Sequence, residues 1–296
     1  MNDVVIVGGS FAGLAAALQL GRARRRVTVL DTGLPRNRFA AHSHGALGHD
    51  HKAPGDILAA ARQQLRRYPT IRLVNARASS VTGDRDDFTL RTEDGDTHHA
   101  RRVLLSYGVA DQFPDLPGFA ECWGRSVVPC PYCDGFEVAG QHWGLIYSGA
   151  HSLHMVSLYG DWTSHLTLFA DGHPIDDAAR ADLARRNVAL VEGRATGLQH
   201  DKGRIAAVEL DTGGSVAVDV LFAHPRNRPS SDLHLGLGLA LDESPLGVTL
   251  RTDEQRQTSR AGIYAAGDLA NPMASVTLAI AQGAMAGVFA QQSMLV

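Results

Sequence analysis

The sequence predicts an α/β protein carrying two strand–turn–helix–strand units of the dinucleotide-binding kind. Three observations predict it. A β-branched apolar run leads straight into a glycine turn at Gly8–Gly13, the same order of elements returns around Ser148–Ser152, and 296 residues suffice for about two domains.

Val4-Val-Ile-Val7 is a short apolar run suited to a strand buried on both faces of a parallel sheet. Gly8, Gly9, Ser10, Phe11, Ala12 and Gly13 form the turn, and Leu14–Leu20 reads as a helix. Val27–Leu30 is a second strand ending in Asp31, 18 residues beyond Gly13, where a carboxylate can accept from ribose hydroxyls. The glycines let backbone N–H groups approach a pyrophosphate, and the helix N-terminus supplies the anion site. The middle glycine is shifted from the usual G-x-G-x-x-G, but the whole strand–turn–helix–strand–acid order is present.

Residues 33–56 are irregular and rich in Gly, Pro, His and Arg, and a loop this long is usually functional. His42, His44, His49 and His51 match no known metal-ligand spacing, so contact of this loop with a bound cofactor, through Arg36, Arg38 and His44, is the expected use. Pro54–Tyr68 returns to helical periodicity, and Leu73–Thr82, Phe88–Thr92 and Thr97–Leu105 read as strands. Asp111–Gly118 is a Pro-punctuated connector and a candidate domain boundary. In the second unit Trp143–Tyr147 is a strand, Leu153–Tyr159 a helix and His165–Phe169 the next strand. Tyr147 stands where the first glycine would be, Ser152 where the last small residue would be, and no arginine pair follows Phe169 to hold a ribose 2′-phosphate. The architecture is repeated with its nucleotide chemistry eroded, the alternative being a divergent turn that still binds NAD(P). Ala178–Arg186 reads as a helix, Val188–Glu192, Arg204–Leu210 and Val216–Phe222 as strands, and Pro225–Ser231 as a second connector. Gly262–Ala266 is a strand running into Gly267-Asp268, and Ser275–Gln292 is helical with Ser275 as N-cap and Val276 beginning the helix.

Composition narrows the classes. The chain is 44% hydrophobic and 20% charged with a net charge of −3, a globular profile without the basic surface that nucleic acid requires. No apolar run approaches the roughly 20 residues that cross a bilayer. Three cysteines and no secretory signal argue for a reducing, cytoplasmic setting.

In that setting the stretch Pro129–Gly135, with Cys130 and Cys133 spaced C-x-x-C, reads as redox chemistry. If the pair opens a helix, the dipole favours the reactive thiolate. A zinc site would need two more ligands at a second matched spacing, and so short a loop gains little from a structural disulfide. Cys122, eight residues upstream of Cys130, reads as a packed apolar thiol, with a third redox partner as the alternative.

Three motifs in order, Gly8–Gly13, Cys130–Gly135 and Gly262–Asp268, resemble the low-molecular-weight thioredoxin reductases and their relatives over essentially the whole chain. The resemblance implies two Rossmann-like, three-layer nucleotide-binding domains with the second inserted in the first. An FAD domain would comprise 1–112 and 224–296, and an NAD(P)-type domain carrying the C-x-x-C would comprise 118–222. It also implies a homodimer. The first turn and Asp31 would hold the ADP half of FAD, Gly108 would stand at a cofactor contact, and Gly267 and Asp268 would lie against the pyrophosphate and ribityl chain. The helix beginning at Ser275 and Val276 would aim its positive end at the flavin. Cys133 would exchange electrons with the flavin, Cys130 would be the interchange thiol, and Asp134 would act as acid/base or, alternatively, only as a helix N-terminal charge.

The words Phe119–Gly124, Cys130-Pro-Tyr-Cys133 and Arg36-Asn-Arg38-Phe resemble the bacterial and fungal dithiol oxidases of the gliotoxin and holomycin type, although those commonly carry His where this chain has Asp134. The expected activity is therefore that of an FAD-dependent thiol–disulfide oxidoreductase independent of NADPH, with a small dithiol as substrate and oxygen as acceptor. The alternatives are a thioredoxin reductase, with a thioredoxin-like protein as partner and NADPH or ferredoxin as donor, and a flavin-bound redox sensor whose C-x-x-C switches a partner contact.

Overall fold

The structure is a computed structural model and describes Met1–Leu295. In chain order the first segment gives β1 (Asn2–Val7), α1 (Phe11–Arg22), β2 (Val27–Asp31), α2 (Pro54–Leu65), β3 (Ile71–Asn75), β4 (Ala78–Asp84), β5 (Asp87–Thr92), β6 (Thr97–Leu105) and β7 (Val109–Gln112). The middle segment gives α3 (Phe119–Cys122), β8 (Val127–Val128), α4 (Pro131–Asp134), β9 (Trp143–Ile146), α5 (Ala150–Tyr159), β10 (Leu166–Phe169), α6 (Asp177–Arg185), β11 (Ala189–Val191), β12 (Ala195–Asp201), β13 (Arg204–Leu210), β14 (Ser215–Ala217) and β15 (Val220–Phe222). The last segment gives β16 (Arg226–Pro229), α7 (Leu233–Gly236), β17 (Leu241–Ser244), β18 (Gly247–Leu250), β19 (Ile263–Ala265) and α8 (Val276–Gln292). Single 3-10 turns lie at Arg36–Phe39 and Gly267–Ala270.

Two compact units result. One comprises Met1–Arg38, Gly45–Asp111 and Arg226–Val296, the other Phe39–His44 and Gln112–Pro225. Both are Rossmann-like, and the second is inserted in the sequence of the first. The grouping of Phe39–His44 with the second unit departs from the expected 1–112 segment. It accompanies close packing at Gly124, where a Cβ would lie 2.9 Å from the Phe39 Cβ.

In the first unit a sheet runs β3-β2-β1-β6-β5-β4, with β19 also pairing β6. The central pairs are parallel, Val4 facing Val27 on one side and Arg102 on the other. Val4, Val5 and Ile6 are wholly buried, as a strand covered on both faces must be. One face packs Leu14, Ala16, Ala17 and Leu20 of α1 with Ala286 and Ala290 of α8. The other packs Phe88, Leu90, Val103 and Ile263. Small residues set the approach of α1 to α8: a Cβ on Gly283 would collide with the Ala12 carbonyl, and one on Gly287 would lie 2.7 Å from the Ala16 oxygen.

In the second unit a parallel sheet runs β11-β10-β9-β15-β8, beside a three-stranded antiparallel sheet β12-β13-β14. Trp143, Leu145, Leu168 and Phe222 fill the core of the parallel sheet.

Three sequence expectations are corrected. Pro225–Ser231 is not only a connector, because Arg226–Pro229 forms β16 in a four-stranded sheet β17-β18-β16-β7. Leu73–Thr82 breaks into β3 and β4, the Ala76 amide turning aside to the Asp31 carbonyl. Val216–Phe222 also breaks: β14 joins the antiparallel sheet and β15 the parallel one, and at the break the Asp219 carboxylate accepts from the His142 amide at 2.9 Å.

Gly283→Ala is expected to cost about 2 kcal/mol, the usual penalty for forcing a methyl into a close-packed contact, measured as a lower urea midpoint at unchanged slope.

Candidate functional site

The first turn is built by backbone that only glycine can supply. Gly8 follows β1 at φ 101°, in the left-handed region, and a Cβ on Gly13 would collide with the Gly8 carbonyl. The N-terminus of α1 is thereby drawn under the end of β1. Ser10, the N-cap, makes no side-chain cap hydrogen bond, so the first-turn amides keep the outward-facing donors of a helix start. Phe11 and Ala12 open the helix and are buried.

Asp31 ends β2 beside this turn. Its Oδ1 accepts from the Gly9 amide at 3.1 Å, and its Oδ2 accepts from Arg62 at 2.8 Å. A Cβ on Gly9 would lie 2.7 Å from the Asp31 Cβ, so only a bare backbone fits there. Arg62, on α2, orients the acid and was not identified from sequence; its signal was a helix carrying one arginine on the face that packs on α1.

A second constellation in the same unit centres on Arg36. Its guanidinium forks onto the Asp111 carboxylate, with Nε 2.9 Å from Oδ2, and its Nη1 donates to Asp268 Oδ2 at 3.1 Å. The two carboxylates hold Arg36 firmly charged against its burial. Burial lifts the Asp268 carboxyl above the usual carboxylate range, with Arg36 opposing the shift. Gly267 adopts φ 75°, and its amide donates to the buried Gln282 side chain at 3.2 Å. Ser275 caps α8 as expected, accepting from the Leu278 amide at 3.1 Å, and Val276 is the first helical residue. Gly108 adopts φ 73°, and its carbonyl accepts from the Ser230 amide at 3.1 Å. Arg38 donates within its own turn, to the Pro35 carbonyl at 3.0 Å. Asp111, which sequence placed in a connector, is the partner that fixes Arg36.

These residues fit FAD. Glycine at Gly8, Gly9 and Gly13 lets β1, α1 and Asp31 close up on one another, since a Cβ at any of them would strike neighbouring protein atoms; the α1 start offers amides to a pyrophosphate, and the carboxylate oxygens of Asp31 have lone pairs for ribose. Asp268 offers a second, partly exposed carboxylate for hydroxyls.

In the second unit Cys130 is the extended N-cap of α4 and Pro131 is the first helical residue, as its fixed φ favours. The Cys133 and Asp134 amides both donate to the Cys130 carbonyl at 3.2 Å. The Cys130 thiol is held below its usual range, first by a hydrogen bond with the Cys133 side chain and then by the Cys133 and Tyr132 amides, which outweigh burial. Asp134 is pushed up to about 6 by burial and by the neighbouring charge of Glu137. Burial and the nearby His151 push His224 down to about 4, with the Pro129 backbone opposing the shift. His44, expected at the cofactor, lies in this unit, with its Nδ1 3.3 Å from Glu137 Oε1. Cys122 is wholly buried among Phe119, Trp123 and Leu221, and burial raises its thiol, as for a packed residue.

The second turn differs in substance from the first. The Ser148 amide is taken by Ser152 Oγ at 2.9 Å, and Tyr147 sets its ring against His173 at 5.6 Å. Asp171, just past β10, spends its Oδ1 on the Ala195 amide at 2.9 Å.

Among known proteins, the chain matches the pyridine nucleotide-disulphide oxidoreductase family over residues 2–283. It is 33% identical to the thioredoxin reductase tcpT of Claviceps purpurea, over 99% of this chain and 94% of that one. It is also 33% identical to the thioredoxin reductase sirT of Leptosphaeria maculans, over 96% and 92%. Among solved structures, an oxidoreductase from Agrobacterium tumefaciens superposes with a TM-score of 0.94 at 42% identity, over 99% of this chain and 98% of that one.

Fold and site together define an FAD-dependent oxidoreductase acting on sulfur groups. The chain belongs to the pyridine nucleotide-disulphide oxidoreductase family, as its resemblance to the thioredoxin reductases implied.

Arg36→Leu is expected to cost about 3 kcal/mol, because Asp111 and Asp268 lose the cation between them. Part of that loss should return when Asp111 is changed to Asn in the same protein, and urea unfolding of the single and double variants checks it.

Proposed function

We propose that this enzyme is a dithiol oxidase that works without NADPH. It would take two electrons from a small dithiol through a redox-active Cys130–Cys133 disulfide. The observation that carries the proposal is the asymmetry of the two nucleotide turns. At the first, Gly8 and Gly13 bring bare backbone together and the Ser10 side chain makes no bond to the helix-start amides, whereas at the second Tyr147 stands in place of the first glycine and the Ser152 hydroxyl takes the Ser148 amide. We take 1–112 with 224–296 as the FAD domain and 118–222 as the NAD(P)-type domain whose nucleotide chemistry is gone. The scarcity of cysteines supports a cytoplasmic setting, and the homodimer follows from the family resemblance.

Gly8, Gly9, Gly13 and Asp31 would hold the ADP half of FAD, and Asp268, with Arg36 behind it, the ribityl hydroxyls. When bound, FAD supplies a two-electron acceptor able to pass electrons on to oxygen. The chain's own residues do the sulfur chemistry. A substrate thiolate attacks the Cys130 sulfur of the disulfide, and Cys133 leaves as thiolate. The second substrate thiol, deprotonated by Asp134, attacks the substrate sulfur of the mixed disulfide and expels the Cys130 thiolate. The substrate becomes a disulfide, two electrons rest on the cysteine pair, and two protons are released. The low Cys130 pKa speeds the last step, since a more acidic thiol leaves faster.

Two measurements test this. Without oxygen, micromolar NADPH should leave the flavin absorbance intact while dithiothreitol bleaches it; prompt bleaching by NADPH would favour the thioredoxin reductase alternative. Asp134 is protonated below pH of about 6 and ionised above it, so exchange with dithiothreitol should quicken as pH rises through that value. Asp134→Asn should slow exchange by about 100-fold and remove this break. An Asp134 that serves only as a helix charge predicts a small effect and an unchanged profile.

A further inference from the structure

The turn that carries the cysteines also carries two aromatic rings that the exchange chemistry leaves unused. Tyr132 lies between the two cysteines and is 69% exposed, and Phe136, just beyond Cys133 in the chain, is 80% exposed. Gly135 keeps helical backbone at φ −64° and ψ −30°, so Tyr132 and Phe136 stand one turn apart on the same face. The Tyr132 ring is braced: it meets Trp162 edge-on, with ring centroids 5.5 Å apart and planes at 88°. Trp162 is fixed in turn. Its ring stacks with that of the wholly buried Trp143 at 6.3 Å, its carbonyl accepts from the Gly140 amide at 2.9 Å, and a Cβ on Gly135 would lie 3.0 Å from its Nε1. Cys130 and Cys133, on the same turn as the two exposed rings, are half-buried.

Apolar rings left in water beside reactive groups mark a binding surface, and a ring already braced loses little freedom when a ligand covers it. The charge of this stretch selects further. Residues 126–165 hold the acids Asp134, Glu137 and Asp161 and no lysine or arginine, which favours a neutral partner over an anionic one. We propose that Tyr132 and Phe136 form a bench for the flat apolar body of an uncharged small dithiol, which lies on the rings while its thiol meets Cys130. The two are specificity-determining residues, and Trp162 is the positioning residue that braces Tyr132. The proposal deepens the disulfide reading above and rests on it.

Two dithiols with alkyl thiols separate the bench from thiol reactivity: ortho-benzenedimethanethiol carries a flat ring and dithiothreitol does not. The readout is the second-order rate constant for flavin reduction, from anaerobic stopped flow of the FAD-loaded protein. In wild type the ring dithiol should be favoured about 30-fold. Tyr132→Ala and Phe136→Ala should each cut that ratio about fivefold, and the double variant should bring it to about 1. Tyr132→Phe should keep the ratio, and Trp162→Leu should lower it as Tyr132→Ala does. Dihydrolipoamide should react about threefold faster than dihydrolipoate at low ionic strength, with the gap closing at about 0.5 M NaCl.

Equal constants for the two dithiols in wild type, or a ratio that the double variant leaves intact, would overturn the bench. Equal constants for dihydrolipoamide and dihydrolipoate would overturn the assignment of an uncharged substrate. Reduced thioredoxin reacting faster than the small dithiols, and losing that advantage in the double variant, would overturn the bench in favour of a protein-docking face. Phe136→Ala sedimenting as a monomer beside a dimeric wild type would overturn it in favour of a contact between copies. A Trp162→Leu that keeps the ratio would overturn the positioning role. Cys133→Ser reduced by both dithiols at the wild-type rate would overturn the disulfide reading and the bench with it. An inactive Cys133→Ser beside a wild type that does not distinguish the two dithiols would overturn the bench alone.

Discussion

The first unit depends on one cation. Asp111 lies within β7 and Asp268 in the 3-10 turn that follows β19, and two carboxylates held near each other and mostly out of water do not both stay ionised unless a positive charge stands between them. Arg36 supplies that charge from the loop after β2. A planar guanidinium can fork onto one carboxylate and still donate to a second, which an ammonium cannot do in fixed geometry. The same contact therefore does three things: it lets Asp268 remain an acceptor, it pins a loop that composition alone reads as irregular, and it joins the N-terminal and C-terminal segments of a unit interrupted in sequence.

Much of this arrangement was legible in the sequence where local chemistry fixes the outcome. Gly8 and Gly13 are required by backbone geometry whatever surrounds them, so the turn, α1 and Asp31 follow from a short window. Cys130 and Pro131 likewise announce a helix start, and Ser275 a cap. What escaped were residues whose role comes from partners far along the chain. Asp111 looked like part of a Pro-rich connector because its meaning lies in Arg36, and Arg62 drew no notice within the helical stretch Pro54–Tyr68 because its meaning lies in Asp31. The strand Arg226–Pro229, with prolines at both flanks, escaped because its pairing is made by β18, which sequence reading left unassigned. His44 was expected at the cofactor by its place in the loop, and only packing assigns it to Glu137.

The two halves of the chain also dress one fold with different chemistry at the corresponding turn. Both copies place an acid at or just past the second strand of their unit, Asp31 and Asp171. Asp31 accepts from the Gly9 amide of the turn itself and from Arg62, so it belongs to the turn. Asp171 accepts through Oδ1 from the Ala195 amide, at the start of the antiparallel sheet, so it is tied to a different element. Ser152 does the same at the turn, taking the Ser148 amide with a hydroxyl where a small apolar residue would leave that amide available. A polar group already satisfied at about 2.9 Å has little to gain from a new ligand and must first lose a bond to accept one. A ligand phosphate approaching the second turn would therefore compete with Ser152 for the Ser148 amide, whereas at the first turn the Ser10 side chain makes no such bond.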